Sequence, residues 1–424
     1  MKINTGWLVA VFIVLGSSQT VRAAENLPQL LLQKGVLTQE EVDTLPPPPA
    51  PDTGARISFD DRALVIRSAD GKSSFTVSTL LQMDAAYFDD DGTSSGDGSE
   101  LRRAFLTLSG KHGPWSFKLQ DNLTGSTTLM DAWGAWSGPL TVKVGNFKVP
   151  YSLDNQNAVK DLPFMERSLM AAFLPMRSPG IMLSSGGARY SWAVGAFGEP
   201  LKNASGSTPS ADEEDQRGGV SARFTVAPLL RDNAVVHLGM SLHYRKPGRA
   251  ESGADTLALY SGPESHLAAR LLDTGAIGGD VDDYQVAGLE LASSWGPLLA
   301  QAEYTEARVA RSQARDLDFS GGYVQLSWVF NGAQRHYRPS KGVFGGVGVD
   351  RGVAWELAAR LSRLDLEDAD VDGGEERNAT LALNLYPAPA VKLSLNYVKV
   401  LSLDGGQNDG DEPTAVMLRA QLAL

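Results

Sequence analysis

What most restricts this chain is a run of two-faced strands joined by turns too short for anything but hairpins, clearest over residues 101–147. In Leu101-Arg102-Arg103-Ala104-Phe105-Leu106-Thr107-Leu108-Ser109-Gly110 the side chains alternate, as they do along any strand. Ala104, Leu106 and Leu108 point one way, and Arg103, Thr107 and Ser109 the other. An apolar face of this kind covers either the core of a soluble sandwich or the lipid side of a closed membrane barrel. In the second case Arg103 projects into a pore.

The N-terminus argues for export. Lys2 precedes an apolar run over residues 7–15, and Val21-Arg22-Ala23 suits signal peptidase, so residues 1–23 are expected to form a cleaved signal peptide. That run is too short to cross a bilayer as a helix, and no later stretch reaches the roughly 20 apolar residues that crossing requires. The chain has no cysteine, which excludes disulfides and thiolate sites, and its 44 glycines with alternating hydrophobicity fit a barrel. A net charge of −12 argues against nucleic-acid partners. The acids gather at 89–91, 212–215, 280–283 and 365–376, in Gly- and Ser-rich stretches that read as solvated loops. A sharper reading has them bridge divalent cations to anionic lipid head groups.

Residues 24–55 read as a short periplasmic helix and a spacer. Leu27, Leu30 and Leu31 share a helical face, Thr38 and Glu41 form a capping box, and prolines 46–49 impose an extended link. From 56 to 424 the pattern is β. An Asp70-Gly71 turn joins strands at 64–68 and 74–87. Connections then alternate: long at 89–100, tight at 111–114, moderate at 125–128, tight at 137–139, and longest at 150–187. Short turns on one side and long loops on the other mark an up-and-down transmembrane barrel. Later strands keep two faces, as in Val220, Ala222 and Phe224 against Ser221, Arg223 and Thr225. The last strand points Leu424 outward and would pair with the first to close the barrel. About 400 mature residues give about 16 antiparallel strands, so the expected class is an all-β transmembrane barrel with a short N-terminal periplasmic helix.

Several segments, in order, resemble the phosphate-selective porin O and P family. They are Leu101-Arg102-Arg103-Ala104-Phe105, Trp115-Ser116-Phe117-Lys118-Leu119-Gln120, Asp131-Ala132-Trp133, Val144-Gly145-Asn146-Phe147-Lys148-Val149-Pro150-Tyr151, Glu166-Arg167 and Pro175-Met176-Arg177-Ser178-Pro179-Gly180. The leader Leu32-Gln33-Lys34-Gly35-Val36-Leu37-Thr38-Gln39-Glu40-Glu41 resembles those ahead of many such barrels. The resemblance covers the N-terminal half, while the C-terminal half agrees in pattern. It implies a trimeric 16-stranded barrel in the outer membrane, with a long third external loop folded into the lumen. Anions would pass a constriction lined by an arginine ladder and a lysine cluster.

Arg102 and Arg103 match the arginine pair of that family. Parity adds Lys118, Lys143, Arg189, Arg223 and Arg245 on the face opposite the apolar one. Arg167 and Arg177 lie in the longest connection and would face the wall arginines if it folds inward. Strict alternation puts Arg102 with Ala104 at the interface, so its inward placement needs a bulge or the family match. Asp121 shares the parity of Phe117 and Leu119, so its carboxylate would face lipid unless a bulge re-registers it. The chain ends in Leu424 rather than an aromatic residue. Glu290, Glu303 and Glu356 have inward parity, which would dilute the positive field.

Guanidinium presents a fixed donor fork that matches two phosphate oxygens, whereas lysine attracts an anion as a point charge. The five histidines show no metal-ligand spacing and no Gly-x-Ser-x-Gly elbow is present, so neither an enzyme nor a metal or other cofactor is expected. The expected function is passive diffusion of small anions, phosphate or polyphosphate, with outer-membrane lipid and further copies of the chain as partners. The alternatives are a general non-selective diffusion porin, and a structural or binding barrel that tethers envelope components.

Overall fold

A computed structural model describes residues 38–40, 54–60, 63–124, 129–175, 177–201, 218–246, 257–330, 334–349 and 352–424. Two units separate at Gly54. In the first, Gln39 and Glu40 are helical; the signal peptide, the proline spacer and the rest of the expected helix, Glu41 included, lie outside the described residues.

The second unit is a barrel. A hairpin of β1 (Arg56–Asp60) and β2 (Ala63–Arg67) leads through the Asp70-Gly71 turn into β3 (Ser73–Asp89). There follow β4 (Gly98–His112), β5 (Trp115–Asn122), β6 (Leu129–Ser137), β7 (Thr141–Lys148), β8 (Arg177–Gly186), β9 (Tyr190–Phe197), β10 (Gly219–Arg231) and β11 (Ala234–Arg245). The small strands β12 (Tyr260–Ser261) and β13 (Leu272–Asp273) precede β14 (Val281–Trp295), β15 (Leu298–Arg311) and β16 (Leu317–Val329). A hairpin of β17 (Arg335–Arg338) and β18 (Val343–Val347) leads to β19 (Ala354–Asp368), β20 (Val371–Ala388), β21 (Val391–Asp404) and β22 (Thr414–Ala423). Each barrel strand is antiparallel to its neighbours, and β22 pairs with β3 from Thr414↔Asp89 to Ala423↔Leu80. Among the described residues sixteen strands close the wall, as the alternation predicts. Closure leaves no wall edge unpaired in lipid.

Among the described residues, three connections fold into the lumen. Residues 149–175, on the loop end, carry a one-turn helix (Leu153–Gln156) and 3₁₀ turns at Val159–Asp161 and Leu169–Phe173. Because β8 starts at Arg177, this insert is shorter than the expected 150–187 segment, and the connection at 246–280 is longer. The third insert, 330–353 with β17 and β18, enters from the turn end, where only tight turns are expected. Its length is accommodated because the hairpin packs inside the barrel instead of hanging below it.

The inserts make the lumen two-sided. Leu169, Met170 and Phe173 pack on Leu271, Leu272 and Ile277 and on inward wall residues such as Val309, Leu317, Phe319 and Leu364. Burying each of these side chains contributes roughly 2 kcal/mol, so this half is a dry core. Here the upper strands turn inside out. On β15, apolar Leu298, Ala300 and Ala302 face outward below Tyr304, whereas polar Glu306 and Arg308 face outward above it, opposite buried Ala307 and Val309. The change of sign marks where wall leaves lipid for water. The open space lies on the other side, against β3 to β10.

Candidate functional site

That space is a cavity of about 1410 Å³ bounded by the β3–β10 wall, the 149–175 insert and the tip of the β17–β18 hairpin. Among the described residues eleven Lys or Arg side chains line it against two aspartates, Asp131 and Asp161.

Arg102 and Arg103 both face inward, and a bulge is the reason. Gln82 pairs with Arg103 while Met83 pairs with Leu101, so Arg102 is the extra residue and Leu101 and Ala104 keep the outward face. Both arginines reach the same carboxylate. Arg102 donates from Nε and Nη2 to Glu166 at 3.0 and 3.2 Å, and Arg103 from Nη2 at 3.1 Å. Arg419 adds a third donor to Glu166 at 2.7 Å, binds Asp84 at 2.6 and 2.7 Å, and reaches the Met165 carbonyl. Burial alone would raise the Glu166 carboxyl, but Arg103, Arg102 and Arg419 hold it well below the ordinary carboxylate range. Three guanidiniums against two carboxylates leave this cluster one charge positive.

Further down, Lys118 donates to Asp131 at 2.6 Å and Arg177 to its other oxygen at 3.2 Å. Lys143 stands apart: it has no ion pair among the described residues, and its Nζ lies 4.5 Å from the centre of the Trp133 ring and 5.1 Å from that of Phe147. Ring faces stabilise a cation without cancelling its charge, so no carboxylate neutralises the Lys143 ammonium on the cavity wall.

Other expected residues hold the inserts in place. Arg167 points back into its own loop, to the Asp154 carbonyl and to Asn155 and Asn157 carbonyls at 3.3 Å. Arg223, almost fully buried, binds Glu290 at 2.8 and 2.7 Å and the hairpin carbonyls of Lys341 and Gly342 at 3.2 and 2.8 Å. Two expected residues lie off the cavity wall. Arg189 sits in the exposed β8–β9 turn, donating to the Pro228 carbonyl at 3.2 Å, because the strand ends at Gly186 and parity no longer governs it. Arg245 closes β11 at the external rim, too high to line the cavity.

The inward carboxylates do not act as free negative charges. Glu290 is held by Arg223, His237 and Ser241, and Glu356 by Arg335, Asn384 and Tyr386. Glu303 accepts the Leu153 and Asp154 backbone N–H groups at 2.9 and 2.7 Å and the Tyr323 hydroxyl at 2.5 Å, so it caps the insert helix. The expected dilution of the field is therefore replaced by anchoring. Asp121 keeps its outward face opposite Leu106, because the bulge falls in β6 at Met130: Gln120 pairs with Asp131 and Asp121 with Leu129. Its Oδ1 is shielded without a hydrogen-bond partner among the described residues.

Sequence reasoning missed Lys148, Lys160, Arg338 and Lys341, all on the cavity. Arg338 and Lys341 stand at the hairpin tip, which meets the wall at Gly186 and Thr225. Four basic or imidazole side chains within 335–341, in a connection far longer than its neighbours on the same end, were the available signal.

Comparison with known proteins agrees with this geometry. Residues 75–424 match the model of a family described as phosphate-selective porin O and P. Porin O of Pseudomonas aeruginosa is 25% identical over 392 residues, covering 82% of this chain and 88% of that protein. An uncharacterized protein of Caulobacter vibrioides is 30% identical over 352 residues, 77% of this chain and 68% of that one. Two solved structures share the fold at low identity. The anion-selective porin from Comamonas acidovorans has a TM-score of 0.51 at 14% identity, covering 83% of this chain and 100% of that one. In-vitro folded OmpT of Vibrio cholerae has a TM-score of 0.52 at 9% identity, with 83% and 98% covered. With the match running from β3 to the final residue of a closed sixteen-stranded barrel, the chain belongs to the phosphate-selective porin O and P family of outer-membrane channels.

Proposed function

We propose that the channel passes small anions by passive diffusion, phosphate or polyphosphate foremost, along a path whose successive stations are the Arg102–Arg103 pair, the Lys118–Arg177 pair, Lys143, and the hairpin residues Arg338 and Lys341. The observation that carries this reading is the imbalance of the cavity lining, eleven cations to two aspartates, in a chain whose overall charge is −12. Partial neutralisation suits conduction, since each site must bind strongly enough to admit an ion and weakly enough to release it. Arg167 and Arg223 serve this path by fixing the two inserts, and Arg189 and Arg245 stand at its two rims.

The rest of the reading follows the family. Residues 1–23 are removed on export, 24–55 sit in the periplasm ahead of the barrel, and three copies assemble in outer-membrane lipid. In planar bilayers, added phosphate is expected to block chloride current, and reversal potentials are expected to show anion preference. A chloride current indifferent to phosphate would leave a general diffusion porin, and absence of channels would refute the reading.

A further inference from the structure

A second concave feature lies on the outside of the wall, across β14 to β21. It is a groove of about 590 Å³ with Leu289, Leu291, Val324 and Leu361 as its sides and the small residues Ala302 and Gly322 at its floor. These residues alternate with Glu290, Glu303, Tyr323 and Ser362, which are buried on the lumen side, so the groove opens onto the bilayer. At its upper end Tyr304, Gly322, Arg363 and Arg377 form one cross-strand row through the pairs Tyr304↔Gly322, Gly322↔Arg363 and Arg363↔Arg377. This is the row at which the outer face changes from apolar to polar, and it carries an exposed tyrosine as interfacial belts do. It therefore lies at the level of the external head groups.

The two arginines are held side by side by one carboxylate. Arg363 donates to Glu375 at 2.6 and 2.8 Å and Arg377 at 2.8 Å, and Arg363 also meets Asp365 at 3.1 Å. Their side chains remain 43% and 54% exposed, and among the described residues each Nη1 has no protein acceptor. We propose that this groove binds one phosphorylated lipid of the external leaflet, its acyl chain lying over Ala302 and Gly322 and its phosphate on Arg363 and Arg377. Bulk acyl chains touch the whole apolar band, but a floor of one methyl group and one glycine lets one chain sink into the wall and lose more of its exposed surface. The paired guanidiniums supply the planar donor geometry that phosphate oxygens match. Since Glu375 and Asp365 cancel their net charge, the site selects by donor placement and by chain, not by a long-range field.

The test uses native mass spectrometry of the full-length barrel in detergent, with dioleoyl phosphatidic acid against dioleoylglycerol, which has the same chains and no phosphate. The wild-type barrel should retain one phosphatidic acid at least tenfold more tightly than dioleoylglycerol. The double variant R363Q/R377Q should lose that preference, and Ala302→Phe, which fills the floor, should weaken both lipids. Chloride conductance should be unchanged in all variants, because the altered side chains lie outside the lumen, and this confirms that the barrel has formed. Equal retention of the two lipids by the wild type, or undiminished preference in the double variant, would overturn the proposal. So would an A302F variant that binds lipid normally but no longer associates with other copies, which would make the groove a contact between protomers.

Discussion

Replacing Glu166 by Gln tests whether the arginine pair is held in check by its own loop. The carboxylate contacts Arg102 and Arg103 at about 3 Å, and both guanidiniums also line the cavity. An anion docked on the far side of either guanidinium stands roughly 6–8 Å from the carboxylate. With an effective dielectric of about 40, for water on one side and protein on the other, one unit of repulsion over that distance amounts to about 1.0–1.4 kcal/mol. Glu166→Gln should therefore tighten anion binding roughly five- to tenfold, read as a lower phosphate concentration for half-block of chloride current in planar bilayers. Removing one partner of a buried ion pair costs about 3–5 kcal/mol, and three contacts offset that cost here. Gln keeps one acceptor oxygen, Asp84 still pairs with Arg419, and the insert is anchored independently by Glu303 and by Leu169, Met170 and Phe173 in the core. Single-channel conductance separates the electrostatic effect from a loosened loop, since a loosened loop changes pore width. A half-blocking concentration that stays the same or rises, at unchanged conductance, would refute the reasoning.

The depressed Glu166 carboxyl also sets an acid limit. A carboxyl held low in the folded state contributes stability above its unfolded pKa and loses it only as pH falls through the folded value, so conductance should not change between pH 7 and 5 on its account. Lys341 contributes to the alkaline one: it lines the cavity, and the enclosing walls, Arg338 and Lys118 hold its pKa below the ordinary lysine value. Anion preference, measured by reversal potential, should accordingly begin to fall at a lower pH than free lysine titrates, and a Lys341→Arg variant should postpone the fall. Lys143→Met removes a cavity cation that has no ion pair among the described residues, and should weaken phosphate block more than Lys118→Met, because the charge of Lys118 is already partly neutralised by Asp131. Gly342→Val strains a residue at φ +58° and drives a Cβ into Thr225, at a cost of about 1–2 kcal/mol before the clash is counted. The hairpin tip should lift away, raising conductance and lowering anion preference; an unchanged channel would mean that the tip does not narrow the path.

Alternation along each strand, together with the export signal and the regular exchange of tight turns and long loops, made the barrel legible. It also placed Arg103, Lys118, Lys143 and Arg223 inward. Parity fails where register shifts. Arg102 turns inward at a bulge in β4, while Asp121 stays outward because the neighbouring bulge formed in β6 instead. Nothing in the residue types at 101–103 or 120–131 says which strand will carry the extra residue, since a bulge is decided by pairing with a strand elsewhere in the chain. The inserts were harder still. The connections at 246–280 and 330–353 have loop-like sequences, and what brings their described residues inside is apolar packing on walls distant in sequence, Leu271, Leu272 and Ile277 in the dry half of the lumen and Phe344 beside Val235, Ala292 and Leu299.

The three inward glutamates show why net charge misleads in such a protein. Read from sequence, Glu290, Glu303 and Glu356 each subtract a positive charge from the pore. In the folded barrel each is spent on holding an insert: Glu303 on the backbone of 153–154, Glu290 on the arginine that clasps the hairpin tip, and Glu356 on Arg335 at the hairpin base. Glu290 and Glu356, each buried against an arginine, act on the pore only as parts of neutral pairs, whose field falls off faster than that of a single charge, while Glu303 is engaged by backbone N–H groups and the Tyr323 hydroxyl. The exposed acids lie elsewhere, as on the outward upper wall at Asp365 and Glu367. The cavity keeps its surplus of cations because the fold sorts the acids away from it, inward as anchors and outward to solvent. Anion selectivity in this chain is consequently a property of register and of insert position, and a substitution that moves the hairpin tip should alter it as much as one that removes a lysine.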